Sequence, residues 1–194
     1  MIAIIDYKMG NLRSVENALK RLGAEFTVTA DADVIRSADR VLLPGVGNAA
    51  EAMENLRKAD LTQVIRSLRR PVLGICVGMQ VMCRHSEEGD CDCLNIFDSH
   101  VKRFVPTQEL KVPHMGWNKI SNLESKLFKG ISGGEYVYFV HSYYPELCPD
   151  TIATTTHGAM FSSALKYENF YGTQFHPEKS GDVGERIIEN FLKL

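Results

Sequence analysis

Gly74-Ile75-Cys76-Val77-Gly78 joins the end of an apolar run to a cysteine with glycines two residues either side. This is the pattern of a nucleophile elbow, a strand-to-helix turn that displays one reactive side chain, with cysteine in place of serine. The glycines have a steric reason. Neighbouring backbone crowds the positions two before and two after the nucleophile, and the turn itself is strained. The helix that begins there aims its positive end and unpaired N–H groups at the sulfur, which favours the thiolate. The Val77 N–H points where the oxyanion of a tetrahedral intermediate would form. Such a sulfur attacks a carbonyl carbon and carries the acyl group as a thioester. A buried structural cysteine is the alternative reading of these five residues.

A nucleophilic cysteine needs a base. His176 ends the aromatic run Gly172-Thr173-Gln174-Phe175-His176, Pro177 stops the strand, and Glu178 follows two residues later. A bend at Pro177 would return the Glu178 carboxylate to the imidazole, fixing its tautomer as the third member of a hydrolytic triad does. Of the other histidines, His85 and His157 read as solvated. His100 is a further competitor, and His114 and His141, near aromatic strands, read as pocket residues or satisfied core groups.

Gly45-Val46-Gly47-Asn48-Ala49-Ala50 resembles a dinucleotide-binding turn, but it follows the third strand, Pro44 precedes it, and Ile65-Arg66 stand where an acidic ribose ligand belongs. Beside an elbow it can instead offer a second backbone N–H to the oxyanion, a donor typically worth about 2.7–4 kcal/mol of transition-state stabilisation. Cys91-Asp92-Cys93 is spaced too tightly for a structural zinc site and no second cysteine pair follows. No metal or cofactor is expected.

Repeated strand–helix alternation positions these groups. Apolar runs at Ile2–Ile5, Phe26–Val28, Val41–Leu43 (stopped by Pro44) and Val72–Ile75 predict strands. Helical spacing over Leu12–Leu22, Ala49–Leu68 (broken near Ala59-Asp60) and Gly78–Arg84 predicts helices between and after them. The fold class expected is α/β, a mostly parallel sheet covered on both faces, where ligands gather at strand ends. Val137–Val140, Ile152–Thr156, Phe161–Leu165 and Phe170–Phe175 predict a partly antiparallel extension of the same sheet, and Val183–Leu192 a closing helix.

A length of 194 residues suits one domain, 1–194, and a net charge of −2 argues against general nucleic-acid binding. No run of 18 apolar residues occurs, so no membrane span is expected. The N-terminus lacks the basic and apolar stretches of a signal peptide, and five cysteines are an odd number; together they point to a reducing, cytoplasmic setting.

With these residues in view, the chain resembles the class I (triad) glutamine amidotransferases, and among them the glutaminase subunits of imidazole glycerol phosphate synthase. The resemblance rests on Asp6-Tyr7-x-x-Gly10-Asn11-Leu12-x-Ser14, Pro44–Gly47, Gly74–Gln80, Ser86–Gly89, Pro113–Asn118, Phe139–Tyr143 and Gln174–Ser180. It implies a flavodoxin-like fold with Cys76 as nucleophile, His176 as base and Glu178 as orienting carboxylate. Val77 and the Val46–Gly47 peptide would form the oxyanion hole, and Gly45, Gln80, Ser142 and Tyr143 would hold glutamine. It implies a (β/α)8 cyclase partner that receives ammonia, facing Met9, Asn11, Trp117, Tyr138 and Lys179. Core packing is the other reading of Trp117 and Tyr138. Cys91–Val101 departs from the family pattern, lacking its Gly-rich Leu-Gly-Ile type sequence. A Cys-elbow hydrolase without the His-Pro-Glu segment and a nucleotide-binding module are the rival readings.

Overall fold

In the computed structural model, which describes residues 1–194, the first half of the chain alternates strand and helix. It runs β1 (Ile2–Ile5), α1 (Leu12–Arg21), β2 (Phe26–Thr29), α2 (Ala32–Ser37), β3 (Arg40–Gly45), α3 (Ala49–Lys58), α4 (Leu61–Arg66), β4 (Val72–Cys76) and α5 (Val77–Gln80). β1 and β4 are buried at every position, as continuous apolar runs in a covered sheet must be. Gly23, at φ +65°, ends α1 in the left-handed conformation that glycine adopts without cost. α2 is a helix the sequence reading missed. It is one and a half turns long, and the Asp31 side chain caps it by accepting from the Asp33 and Val34 amides.

The second half adds β5 (His85–Ser86), β6 (Cys91–Asp92), β7 (His100–Arg103), β8 (His114–Lys119), β9 (Tyr136–His141), β10 (Tyr143–Pro145), β11 (Thr151–His157), β12 (Ala159–Tyr167), β13 (Phe170–Thr173) and α6 (Gly181–Phe191). Seven strands form the main sheet in the order β11-β12-β13-β4-β3-β1-β2. From β2 to β13 the pairing is parallel, and β12 and β11 continue antiparallel. This is the expected α/β class with its antiparallel extension.

Four local expectations need correction. Val137–Val140 lies outside the main sheet, in a ribbon of β8 and β9 whose alternating burial marks a strand with one face open. A small sheet, β10-β7-β5-β6, forms from residues 85–103 and 143–145, where the apolar pattern predicted no strand. β3 does not stop before Pro44 but runs through Gly45. Its pairing with β1 ends at Leu42, so a residue without an N–H costs no ladder bond on that side. The elbow helix is also shorter than Gly78–Arg84. Met82 and Cys83 donate to the carbonyls of Met79 and Gln80, tightening to i→i−3 bonds, and the Arg84 amide donates to the Ser99 carbonyl instead of to Gln80. Residues 94–97 fold back and cap the carbonyls of Val81, Met82 and Cys83.

Between the ribbon and the main sheet lies an aromatic cluster of Phe104, His114, Phe139, His141 and Phe161. His157 is not solvated as expected. Its ring stacks on His114 at 4.1 Å and its Nε2 donates to the Lys111 carbonyl. Burial pulls His114 down to about 4 and His141 to about 3, and neighbouring imidazoles push the same way. Both rings are therefore neutral where their unfolded counterparts, near 6.5, take up protons. Their contribution to stability is complete above about pH 6.5 and lost as pH falls through about 4 and 3, at about 1.4 kcal/mol per pH unit for each extra proton bound by the unfolded chain. Urea unfolding at pH 7, 5.5 and 4.5 should show stability falling across this window; a flat profile would contradict it.

Candidate active site

Cys76 sits at φ +56°, ψ −113°, a backbone conformation that a side-chain-bearing residue holds only when its surroundings enforce it. The enforcement is visible in the flanking glycines. A Cβ on Gly78 would lie 1.7 Å from the Leu43 carbonyl oxygen of β3, and one on Gly74 would lie 2.4 Å from Met82 Cε and 2.7 Å from Gly78. α5 therefore starts hard against β3, with the Val77 N–H, first of the helix, unused by helical bonding.

β13 delivers the second group. Its Thr173 pairs with Ile75, so the chain running on through Gln174 and Phe175 brings His176 to the same sheet end as Cys76. The His176 amide donates to the Tyr138 carbonyl at 2.9 Å, and the Ser180 hydroxyl donates to the His176 carbonyl at 2.6 Å. Pro177 opens a 3-10 turn, Pro177–Lys179, that folds Glu178 back. His176 Nδ1 and Glu178 Oε1 are 2.8 Å apart, with both side chains 2% exposed. His176 Nε2 and Glu178 Oε2 are buried without a hydrogen-bond partner. Burial alone would lower the His176 pKa. The Cys76 charge, with the hydrogen-bonded Glu178 carboxylate behind the ring, outweighs it and carries His176 up to about 10.

Both groups open on a cleft of about 160 Å³. Among the expected residues, Val46, Gly47, Cys76, Val77, Gln80, Ser142, Tyr143 and His176 line it. Gln80 is 2% exposed, and its Nε2 is committed to the Tyr143 carbonyl and to Gln174 Oε1, at 3.0 and 2.9 Å. Gln174 in turn donates to the Cys76 sulfur at 3.7 Å. Gly45, grouped with the substrate residues on sequence, lies outside the lining. It pairs with Cys76 in register, and a Cβ there would meet the Tyr7 hydroxyl at 2.5 Å and the Gly78 nitrogen at 2.7 Å.

Two lining residues had no such role on sequence, Glu88 and Val140; His141, expected as a pocket residue or a satisfied core group, lines the cleft as well. Glu88 accepts from the Ala49 amide at 2.8 Å, and burial raises its pKa. The Ser86–Gly89 segment carries two adjacent carboxylates and does not say which enters the cleft; Glu87 points elsewhere, onto Lys102 and the Arg103 amide.

The same contacts dispose of the dinucleotide reading. Asn48 caps the Ala50 and Glu51 amides while Glu88 takes that of Ala49, so the helix N-terminus that would bind a pyrophosphate is already satisfied. Cys91 and Cys93 flank Asp92, which pairs with His85, and no group of three or more His, Cys, Asp or Glu side chains is arranged to hold a metal ion.

The residues expected at a partner divide by burial. Trp117 is 56% exposed and Tyr138 partly so, their rings edge to face at 6.1 Å. Asn11 and Lys179 are exposed. Met9 is buried, with its Cε 3.3 Å from where a Gly47 Cβ would stand, so it packs under the Val46–Gly47 loop.

The raised His176 pKa has a sign that can be checked. Its stabilising contribution is complete below the unfolded value near 6.5 and is lost as pH rises through about 10. An NMR titration should find the His176 ring protonated from pH 6 to 8, and Cys76→Ala should lower its midpoint. A native midpoint near 6.5 would contradict this electrostatic account.

Residues 3–194 match the family model described as glutamine amidotransferase class-I. The chain is 57% identical to an imidazole glycerol phosphate synthase subunit HisH of Bacteroides thetaiotaomicron and 58% to that of Bacteroides fragilis, covering 100% of this chain and 99% of each relative. The HisH subunit of Idiomarina loihiensis is 46% identical, over 100% and 97%. Among solved structures, a glutamine amidotransferase superposes with a TM-score of 0.76 at 17% identity over 100% of this chain and 98% of its own. The glutaminase domain of Trypanosoma brucei CTPS superposes at 0.65 and 16%, over 99% and 93%. These two share the fold. The chain belongs to the class I glutamine amidotransferases, in the branch of the HisH subunits of imidazole glycerol phosphate synthase.

Proposed function

We propose that residues 1–194 act as one glutamine amidotransferase domain that hydrolyses glutamine and hands the ammonia to a partner subunit. The observation that carries this reading is the conjunction of an elbow cysteine with a buried His176–Glu178 pair at one cleft. The Cys76 thiolate attacks the side-chain amide carbon of glutamine, and the oxyanion is met by the N–H of Val77 and an N–H of the Val46–Gly47 peptide. Protonated His176, oriented by Glu178, gives its proton to the departing ammonia. A γ-glutamyl thioester remains on Cys76. Neutral His176 then takes a proton from water, which attacks the thioester and releases glutamate. Gln80, Ser142 and Tyr143 hold the amino-acid end, with Gly45 supporting from beneath the elbow. Glu88, the one carboxylate in the lining, faces the α-amino group. No metal or cofactor takes part.

Ammonia released into water at neutral pH is mostly ammonium, which is not a nucleophile, so the product must pass directly to a second site. The partner is a (β/α)8 cyclase subunit that makes imidazole glycerol phosphate and AICAR in histidine biosynthesis, in the cytoplasm. The β8–β9 ribbon supports its docking place. Met115, Trp117 and Tyr136 expose 68%, 56% and 51% of their surfaces on one face with Tyr138, whereas His114, Val137, Phe139 and His141 point inward. Asn11 and Lys179 extend this face, and buried Met9 lies behind it under the oxyanion loop. Because Tyr138 holds the His176 amide and Met9 underlies Gly47, a partner seated here can bias the loop. No helix is long and apolar enough to cross a membrane.

The test measures glutamate release by the unaltered chain alone, by the chain with the cyclase subunit and its nucleotide substrate, and by Cys76→Ser in that complex. Weak activity alone, strong activity in the loaded complex and none with Cys76→Ser is the expected pattern. Equal rates with and without the loaded partner would end the gating reading, and activity surviving Cys76→Ser would end the thioester.

A further inference from the structure

A polar chain outside the triad ends on the wall of the cleft. Asn118 donates through Nδ2 to the Thr156 carbonyl at 3.0 Å and to His114 Nε2 at 3.1 Å, and its Oδ1 accepts from the Lys119 amide at 2.8 Å. His114 Nδ1 and His141 Nε2 are 2.9 Å apart, and His141 Nδ1 lies 2.7 Å from the Tyr143 carbonyl oxygen. The two imidazoles are 5% and 6% exposed.

Both ends dictate where the protons lie. A carbonyl oxygen only accepts, so His141 carries its hydrogen on Nδ1, and Nε2 of the neutral ring accepts. At the other end, the Thr156 carbonyl and the Lys119 amide orient the Asn118 side chain. His114 Nε2 therefore accepts and its Nδ1 donates. The two assignments agree, and every bond runs in one direction, from Asn118 through His114 and His141 to Tyr143. A proton added to either ring would set N–H against N–H, and burial already disfavours the charged forms.

The final acceptor is shared. The Tyr143 carbonyl also takes Nε2 of Gln80 at 3.0 Å, and both residues line the cleft beside Ser142. We propose that His114 and His141 are positioning residues for glutamine, two neutral imidazoles held in one tautomer that fix the placement of the Ser142–Tyr143 backbone and the Gln80 side chain. The proposal rests on the glutaminase reading of the cleft and adds to it the groups that set its substrate wall. It also separates two roles of histidine: His176 moves protons, while His114 and His141 hold them still.

Two measurements test this. In the unaltered protein at pH 7, ¹⁵N chemical shifts should show both rings neutral with hydrogen on Nδ1; a charged ring, or hydrogen on Nε2 in either, overturns the proposal whatever the variants do. In the complex with the cyclase subunit and its nucleotide substrate, His141→Phe should raise KM for glutamine about tenfold, the effect of losing one buried hydrogen bond. Its kcat should stay close to that of the unaltered complex. His141→Asn, which keeps a donor near Nδ1, should recover most of the KM. An unchanged KM in His141→Phe, or equal defects in the two variants, overturns it. Cys76→Ser serves as the control: glutamate release that survived it would overturn the underlying glutaminase reading as well.

Discussion

The site depends on one pairing, that of β13 with β4. The two strands are far apart in sequence yet parallel and adjacent, with Ile75 opposite Thr173, so both deliver their following residues to the same edge of the sheet. A slip of one residue would turn His176 to the other face. The packing leaves no room for one. A Cβ on Gly172 would lie 2.3 Å from Met79 Cγ of the elbow helix, and Gly74 and Gly78 are as tightly confined. The glycines thus do two things: they permit the strained turn at Cys76, and they lock the register that brings the histidine to it.

The cost of the arrangement appears in its buried groups. His176 Nε2 and Glu178 Oε2 lack partners, and a buried imidazole–carboxylate pair recovers through its one 2.8 Å contact only part of what desolvation removes. A fold selected for stability alone would fill such a place with apolar side chains. In a hydrolytic site the unpartnered Nε2 is the atom that must be free to exchange a proton with sulfur, leaving group and water.

Features written in a few adjacent residues were legible in the sequence. The elbow is one, since its glycines, its cysteine and the apolar run before it are consecutive; the His-Pro-Glu turn is another. The parallel core was legible because strands buried on both faces read as unbroken apolar runs. What escaped depends on distant partners. β9 alternates like any half-buried strand, and nothing in Tyr136–His141 says that β8 is its only neighbour. Pro44 reads as a strand stop unless one knows that β1 has already ended beside it. α5 ends early because the Arg84 amide is claimed by the Ser99 carbonyl, and Glu88 enters the cleft through a cap on a helix 39 residues earlier. His157 reads as solvated until the ring of His114 is found against it.

The central claim is that one sulfur of five carries the acyl group. Acid-quenching the loaded complex during glutamine turnover, then digesting it and weighing the cysteine peptides, tests it directly. The account predicts a γ-glutamyl adduct on the peptide bearing Cys76, and none on those bearing Cys83, Cys91, Cys93 or Cys148. Steady glutamate release with Cys76 unmodified, or an adduct on another cysteine, would contradict it.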